Sequence, residues 1–178
     1  MAEFLIRKAR EEDIDAVEAL YEKIHDAEEN GTLTIGWIRG IYPVRQTAED
    51  ARKRGDLYVL TEAEKVLGAA VINHIQVDIY RDAKWKQDAE DKDVCVLHTL
   101  VIDPDASGKG YGKAFVKYYE TYAKETGCAE LRMDTNEKNK TARAMYQKLG
   151  YEEIGILPTE FNGIPHVNLV LLEKSLKQ

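Results

Sequence analysis

Val94-Cys95-Val96-Leu97-His98-Thr99-Leu100-Val101-Ile102-Asp103-Pro104 runs almost directly into Ser107-Gly108-Lys109-Gly110-Tyr111-Gly112-Lys113. An apolar run rich in β-branched residues stops at a proline. A glycine-rich turn follows, and a long amphipathic pattern begins behind it, which reads as strand, loop and helix. The first amides of a helix have no partner inside it, and the helix dipole adds positive potential at the same end. A bare-amide loop placed there is an anion site. The anion that suits it is the pyrophosphate of a nucleotide-containing cofactor.

Spacing removes two familiar cofactor loops. A P-loop needs G-x-x-x-x-G-K-[ST], and here Lys113 is followed by Ala114. A dinucleotide fingerprint needs G-x-G-x-x-G, and Gly108 and Gly110 are followed by lysine at position 113. What remains is the shorter Gly108-Lys109-Gly110-Tyr111-Gly112. A second element lies downstream, Asn139-Lys140-Thr141-Ala142-Arg143-Ala144-Met145-Tyr146-Gln147-Lys148-Leu149-Gly150-Tyr151. Asn139 is a good N-cap and Gly150 stands where a helix ends in a left-handed residue. Ala142, Met145, Tyr146 and Leu149 share one helical face. On its own, Tyr146 reads as a core tyrosine of that face.

The two elements together resemble the GCN5-related N-acetyltransferases. Their acyl-CoA loop reads Q/R-x-x-G-x-G/A, and a later helix reads N-x-x-A-x-x-x-Y-x-x-x-G-[FY]. Every named position of the helix pattern is present. The loop departs at Ser107, where the family has Gln or Arg, which removes one side-chain contact and keeps the amides. The resemblance implies an α/β acyl-CoA N-acyltransferase fold, a central mixed, mostly antiparallel sheet flanked by helices, as a single domain over 1–178. It also implies acetyl-CoA as co-substrate, with no metal. Amides of Gly108, Lys109, Gly110, Tyr111, Gly112 and Lys113 would hold the pyrophosphate. Leu100, Val101 and Ile102 would pair with the pantetheine arm, and Asn139, Ala142 and Tyr146 would complete the cofactor side.

Acyl transfer to an amine needs a held thioester, a neutral amine, oxyanion stabilisation and a proton for the departing sulfur. The resemblance casts Tyr146 as the acid, a role its reference pKa of about 10 suits. Alkylamines have a pKa of roughly 10.4 and arrive protonated, so a base is needed. His98 is the first candidate, because histidine titrates in the right range. Arylalkylamine acetyltransferases of the family carry a histidine at that offset. Asp134 is the second candidate. Some ribosomal-protein acetyltransferases use a glutamate on the next strand, and here that place falls to Arg132. His25, His74 and His166 show no metal-ligand spacing.

Composition fits a small enzyme. A net charge of −7 on 178 residues argues against non-specific nucleic-acid binding. The two cysteines, Cys95 and Cys128, make no C-x-x-C pair and read as buried thiols of a reducing compartment. No run reaches membrane-spanning length, and the first residues lack signal-peptide form, so a cytoplasmic location and no membrane partner are expected.

Outside the motifs the pattern predicts a strand over 3–7, a helix from Ile14 to Asn30 and a loop with a short helical piece over 31–43. A helix introduced by Thr47-Ala48-Glu49-Asp50 follows, then a hairpin of 57–61 with 66–76. The charged segment 78–93 precedes the central strand. The post-glycine helix covers 108–126 with Tyr111, Phe115, Tyr118 and Tyr122 toward the core. A strand over 129–135 follows it, and two final strands flank Asn162-Gly163-Ile164-Pro165. Trp37, Tyr42, Tyr80, Trp85 and Phe161 are expected to rim an acceptor slot for an aryl group or a cation, although each alone reads as packing its own loop. Three functions compete: an acetyltransferase acting on an amine acceptor, a non-catalytic acyl-CoA-binding or regulatory module, and an unrelated nucleotide-binding α/β protein. A monomer or a homodimer fits all three.

Overall fold

A computed structural model describes residues 3–177 of the chain. Seven strands form one sheet in the order β1-β2-β3-β4-β5-β7-β6. They are β1 (Phe4–Lys8), β2 (Leu57–Glu62), β3 (Lys65–Asn73), β4 (Val94–Ile102), β5 (Glu130–Asn136), β6 (Glu152–Phe161) and β7 (Ile164–Ser175). The helices are α1 (Ile14–Glu29), α2 (Arg45–Arg54), α3 (Tyr111–Glu125) and α4 (Lys140–Lys148). All neighbouring strands are antiparallel except β4 and β5. That parallel pair requires a crossover, which α3 supplies. The mixed, mostly antiparallel α/β sheet expected from the sequence is the one observed.

Alternation along the strands explains why both faces are covered. Leu57 and Val59 pack with Val17, Leu20 and Tyr21 of α1, while Tyr58 and Leu60 pack with Phe115 and Tyr119 of α3. In β4, Cys95 and Leu97 also face α3, whereas Val94 and Val96 face a third cluster containing Tyr80, Leu169 and Leu171. Both cysteines are buried free thiols. Among the described residues, no helix is long and apolar enough to cross a membrane.

Several boundaries move, each for a local reason. α3 starts at Tyr111 because Gly108 and Gly110 both sit at φ +81, a left-handed conformation that a right-handed helix cannot contain. β3 stops at Asn73, whose Oδ1 accepts from the Ile75 amide at 3.0 Å and bends the chain away. α2 begins at Arg45, ahead of the expected quartet, with the Val44 amide donating to Thr47 Oγ1 at 3.0 Å. The segment 31–43 contains no helix. It is a strap with one isolated bridge, Ile38 to Tyr42. The charged segment 78–93 folds into two short 3-10 turns.

Candidate active site

β4 and β5 pair from Val94 and Glu130 as far as Leu97 and Met133, and then part. The fork begins at a bulge. His98 lies opposite Val71 and Val101 opposite Ala69, so Thr99 and Leu100 together face Ala70. Thr99 takes φ +49, a costly conformation for a β-branched residue, on the order of 1–3 kcal/mol. Its hydroxyl is hydrogen-bonded to that of Tyr42. Below the fork the Tyr119 hydroxyl is shared between the carbonyls of Cys95 at 2.6 Å and Arg132 at 3.1 Å, fastening the two strands where they still run together.

The fork opens into a cleft of 690 Å³. Leu100, Ile102, Gly112, Asn139, Ala142 and Tyr146 line one half. Val101 turns into the core beside α1, so it offers only main chain. Ser107 to Gly110 are exposed ahead of α3, and a β-carbon on Gly108 or Gly110 would meet nothing within 4 Å. The loop is therefore an open cradle at a helix N-terminus, and the edge of β4 past Leu97 has no β5 partner. A phosphate-bearing group with an amide-containing arm fits these two features. Tyr111 contributes at most its amide. Its ring meets Phe4 edge-on with centroids 5.6 Å apart, and its hydroxyl donates to Glu62. Lys109 stands 3.9 Å from Glu62, and Lys113 is exposed. Asn139 Oδ1 caps α4 by accepting from the Ala142 amide at 3.2 Å.

Trp37, Tyr42 and Phe161 line the other half with Val77, Ile164, Val167 and Leu169. Tyr80 and Trp85, expected beside them, do not line the cleft. The segment 78–93 folds over the Val94 and Val96 face of the sheet, so its aromatics are spent on packing. Tyr80 is buried, and its hydroxyl donates to Asp134 Oδ2 at 2.6 Å. Trp85 lies over the Arg132 guanidinium at 4.3 Å and donates from Nε1 to the Tyr80 carbonyl at 2.9 Å. Arg132 itself points away from the cleft, donating to Gln76 Oε1 and the Gln87 carbonyl, each at 2.7 Å.

His98, Asp134 and Tyr146 all line the cleft. Asn73 Nδ2 donates to Asp56 Oδ2 at 2.9 Å, and Asn73 Oδ1 lies 2.8 Å from His98 Nε2. A carboxylate only accepts, so the amide orientation is fixed and Nε2 is the protonated ring nitrogen. Burial pulls the His98 imidazole down to about 4. Burial pushes the Asp134 carboxyl up to about 6, against the opposing pull of the Tyr80 hydrogen bond. Burial, then the nearby Asp134 charge, hold the Tyr146 hydroxyl well above its ordinary value, so it stays protonated.

A forked mixed sheet with a glycine cradle beside the fork defines the class, and the comparisons agree. Residues 17–151 match the acetyltransferase (GNAT) family, and the chain belongs to that family. An uncharacterized N-acetyltransferase of Methanocaldococcus jannaschii is 33% identical over 72 residues, 40% of this chain and 32% of that protein. The ribosomal protein bS18 alanine N-acetyltransferase of Escherichia coli is 30% identical over 64 residues, 36% of this chain and 43% of that protein. These matches thus span less than half the length of either relative. Among solved structures, a GNAT-family acetyltransferase from Streptococcus agalactiae superposes with a TM-score of 0.79 at 24% identity, covering 98% of this chain and 96% of that one. An acetyltransferase from Salmonella typhimurium, solved with its cofactor acetyl-CoA, gives 0.71 at 16% identity over 99% and 96%. At these identities the likeness is one of fold.

Proposed function

We propose that this protein transfers the acetyl group of acetyl-CoA to a primary amine bound in the same cleft, with Asp134 as base and Tyr146 as acid. The observation that carries the reading is Asp134, the one carboxylate lining the cleft among the described residues, poised at about 6. Acetyl-CoA supplies a thioester-activated acetyl group. The amides of Gly108 to Lys113 would hold its pyrophosphate, and the free edge of β4 from Thr99 to Ile102 would pair with its arm. Asp134 attracts the incoming ammonium and takes its proton, and the freed lone pair forms the C–N bond as the C–S bond breaks. The Tyr146 hydroxyl donates its proton to the departing sulfur and is reprotonated by the second proton that the nitrogen sheds as the amide forms.

Asp134 is preferred to His98 on energetic grounds. Burial raises the Asp134 carboxyl to about 6 and lowers the His98 imidazole to about 4, so Asp134 is the stronger proton acceptor of the two. A carboxylate also pairs with the cation it must deprotonate, whereas a neutral imidazole does not.

Thermal melting with acetyl-CoA, CoA, ATP and NAD tests the cofactor. A ligand at about a hundred times its Kd stabilises by roughly 2.7 kcal/mol. A rise with the two CoA species alone supports the reading. A rise with ATP or NAD and none with CoA would replace it with the nucleotide-binding alternative.

A further inference from the structure

Resting on the acetyl-transfer reading, we infer that the acceptor is a compact amine with an apolar body and no acid group beside its nitrogen. The strap between α1 and α2 forms one wall of the acceptor half. The amides of Ile35 and Gly36 donate to the two carboxylate oxygens of Glu28, at 2.6 and 3.0 Å. Arg39 is held along α1 by Glu22, Asp26 and Glu29. On its other side the strap meets the remaining walls. A β-carbon on Gly36 would collide with the Asn136 carboxamide, and one on Gly163 would lie 3.2 Å from Ile41 Cγ2. The strap thus touches both the end of β5 and the turn between β6 and β7. The strap, β5 and the turn between β6 and β7 wall the acceptor half together, which suits a small molecule better than an extended peptide.

The slot's chemistry narrows the class further. Its walls include Trp37, Tyr42, Phe161 and Ile164, and its charge is Asp134. The lysines that line the cleft, Lys138 and Lys140, are exposed at the start of α4 on either side of Asn139, where solvent screens their charge. A carboxylate beside the acceptor nitrogen would face the charge of Asp134 in apolar surroundings, a like-charge approach that costs heavily. An ammonium on an aryl body pairs with Asp134 and packs against the aromatics.

The experiment compares phenylethylamine, phenylalanine and a dipeptide beginning with phenylalanine, which share one aromatic body. CoA release is followed for each, with the melting shift by acetyl-CoA measured alongside. The expected kcat/KM for phenylethylamine exceeds that of either other acceptor by about tenfold or more. In Phe161→Ala its KM rises by about tenfold while the melting shift by acetyl-CoA stays unchanged. Equal or better use of phenylalanine or the dipeptide, an unchanged KM in the variant, or acetyl-CoA binding without transfer to any of the three overturns this inference alone. A chain whose melting acetyl-CoA does not raise overturns both it and the acetyl-transfer reading.

Discussion

The Tyr80 hydroxyl donates to Asp134 Oδ2 at 2.6 Å, from a side chain buried behind the cleft and anchored through its carbonyl by Trp85. The bond engages one carboxylate oxygen of Asp134, and in the proposed reaction the other would meet the acceptor. It also opposes the rise that burial imposes on the Asp134 carboxyl. Besides Tyr80, the charged and titratable groups around this carboxylate are Tyr42 and Tyr146, with Arg132 beyond Tyr80. In Tyr80→Phe the carboxyl loses its donor and climbs further. The rising limb of kcat against pH should then move to higher pH by about one unit. A limb that stays in place would reduce Tyr80 to a packing residue.

Asp134 should cost the fold some stability. Its folded pKa of about 6 lies above the ordinary aspartate value of 3.8, so the native state favours the protonated form. The penalty is absent below the unfolded value, grows as pH rises and is complete above about 6. Asp134→Asn should therefore raise Tm at pH 8 by a few degrees, equivalent to about 1–3 kcal/mol, with the gain fading toward pH 4. Turnover should fall by about a hundredfold or more. Differential scanning calorimetry at the two pH values reads the first effect, and a stability gain that does not fade at low pH would contradict the assignment.

Tyr146 sits 6% exposed at the cleft wall, its ring edge-on to Tyr151. Tyr146→Phe preserves that packing and removes the proton. The expected outcome is a kcat lower by about a hundredfold with little change in acetyl-CoA affinity, measured by titration calorimetry. A large loss of affinity with kcat preserved would make the hydroxyl a binding group.

Gly110 is the N-cap of α3 at φ +81, and a β-carbon there would meet open space. Substitution is opposed by backbone conformation, not by crowding. Gly110→Val should lower stability by about 1–2 kcal/mol and weaken CoA binding by tenfold or more as the cradle amides turn. Titration of the folded variant with CoA checks this, and an unchanged Kd would mean that the loop amides do not hold the pyrophosphate.

What could be read from the sequence were features written locally. The cap at Asn139, the helical face through Tyr146 and the glycine-rich turn ahead of α3 depend on neighbours a few residues away. The alternation of β4 and the order of the elements follow from the same short-range periodicities. Contacts across the fold were not legible. Nothing in the segment 78–93 says that Tyr80 turns inward to Asp134 while Trp85 covers Arg132. Those positions depend on strands that pair far away in sequence. The short helical piece expected over 31–43 is absent because the strap takes its shape from long-range contacts, Glu28 of α1 holding the Ile35 and Gly36 amides and Arg39 reaching back to α1. Tyr119 was overlooked although it follows Phe115 by four residues on the buried face of α3. That spacing was the available signal. The ranking of His98 over Asp134 rests on its place on β4, the family resemblance and its reference pKa, and the sequence does not show that burial moves the two groups in opposite directions.

The dependence of kcat on pH at saturating phenylethylamine and acetyl-CoA, for the native chain and for His98→Gln, addresses the acid–base assignment directly. The native profile should rise with an apparent pKa near 6, the value of Asp134, and the same limb should persist in His98→Gln, whose amide can still donate to Asn73. A profile that is flat from pH 5 to 8, or a limb that vanishes in His98→Gln, would contradict Asp134 as the base.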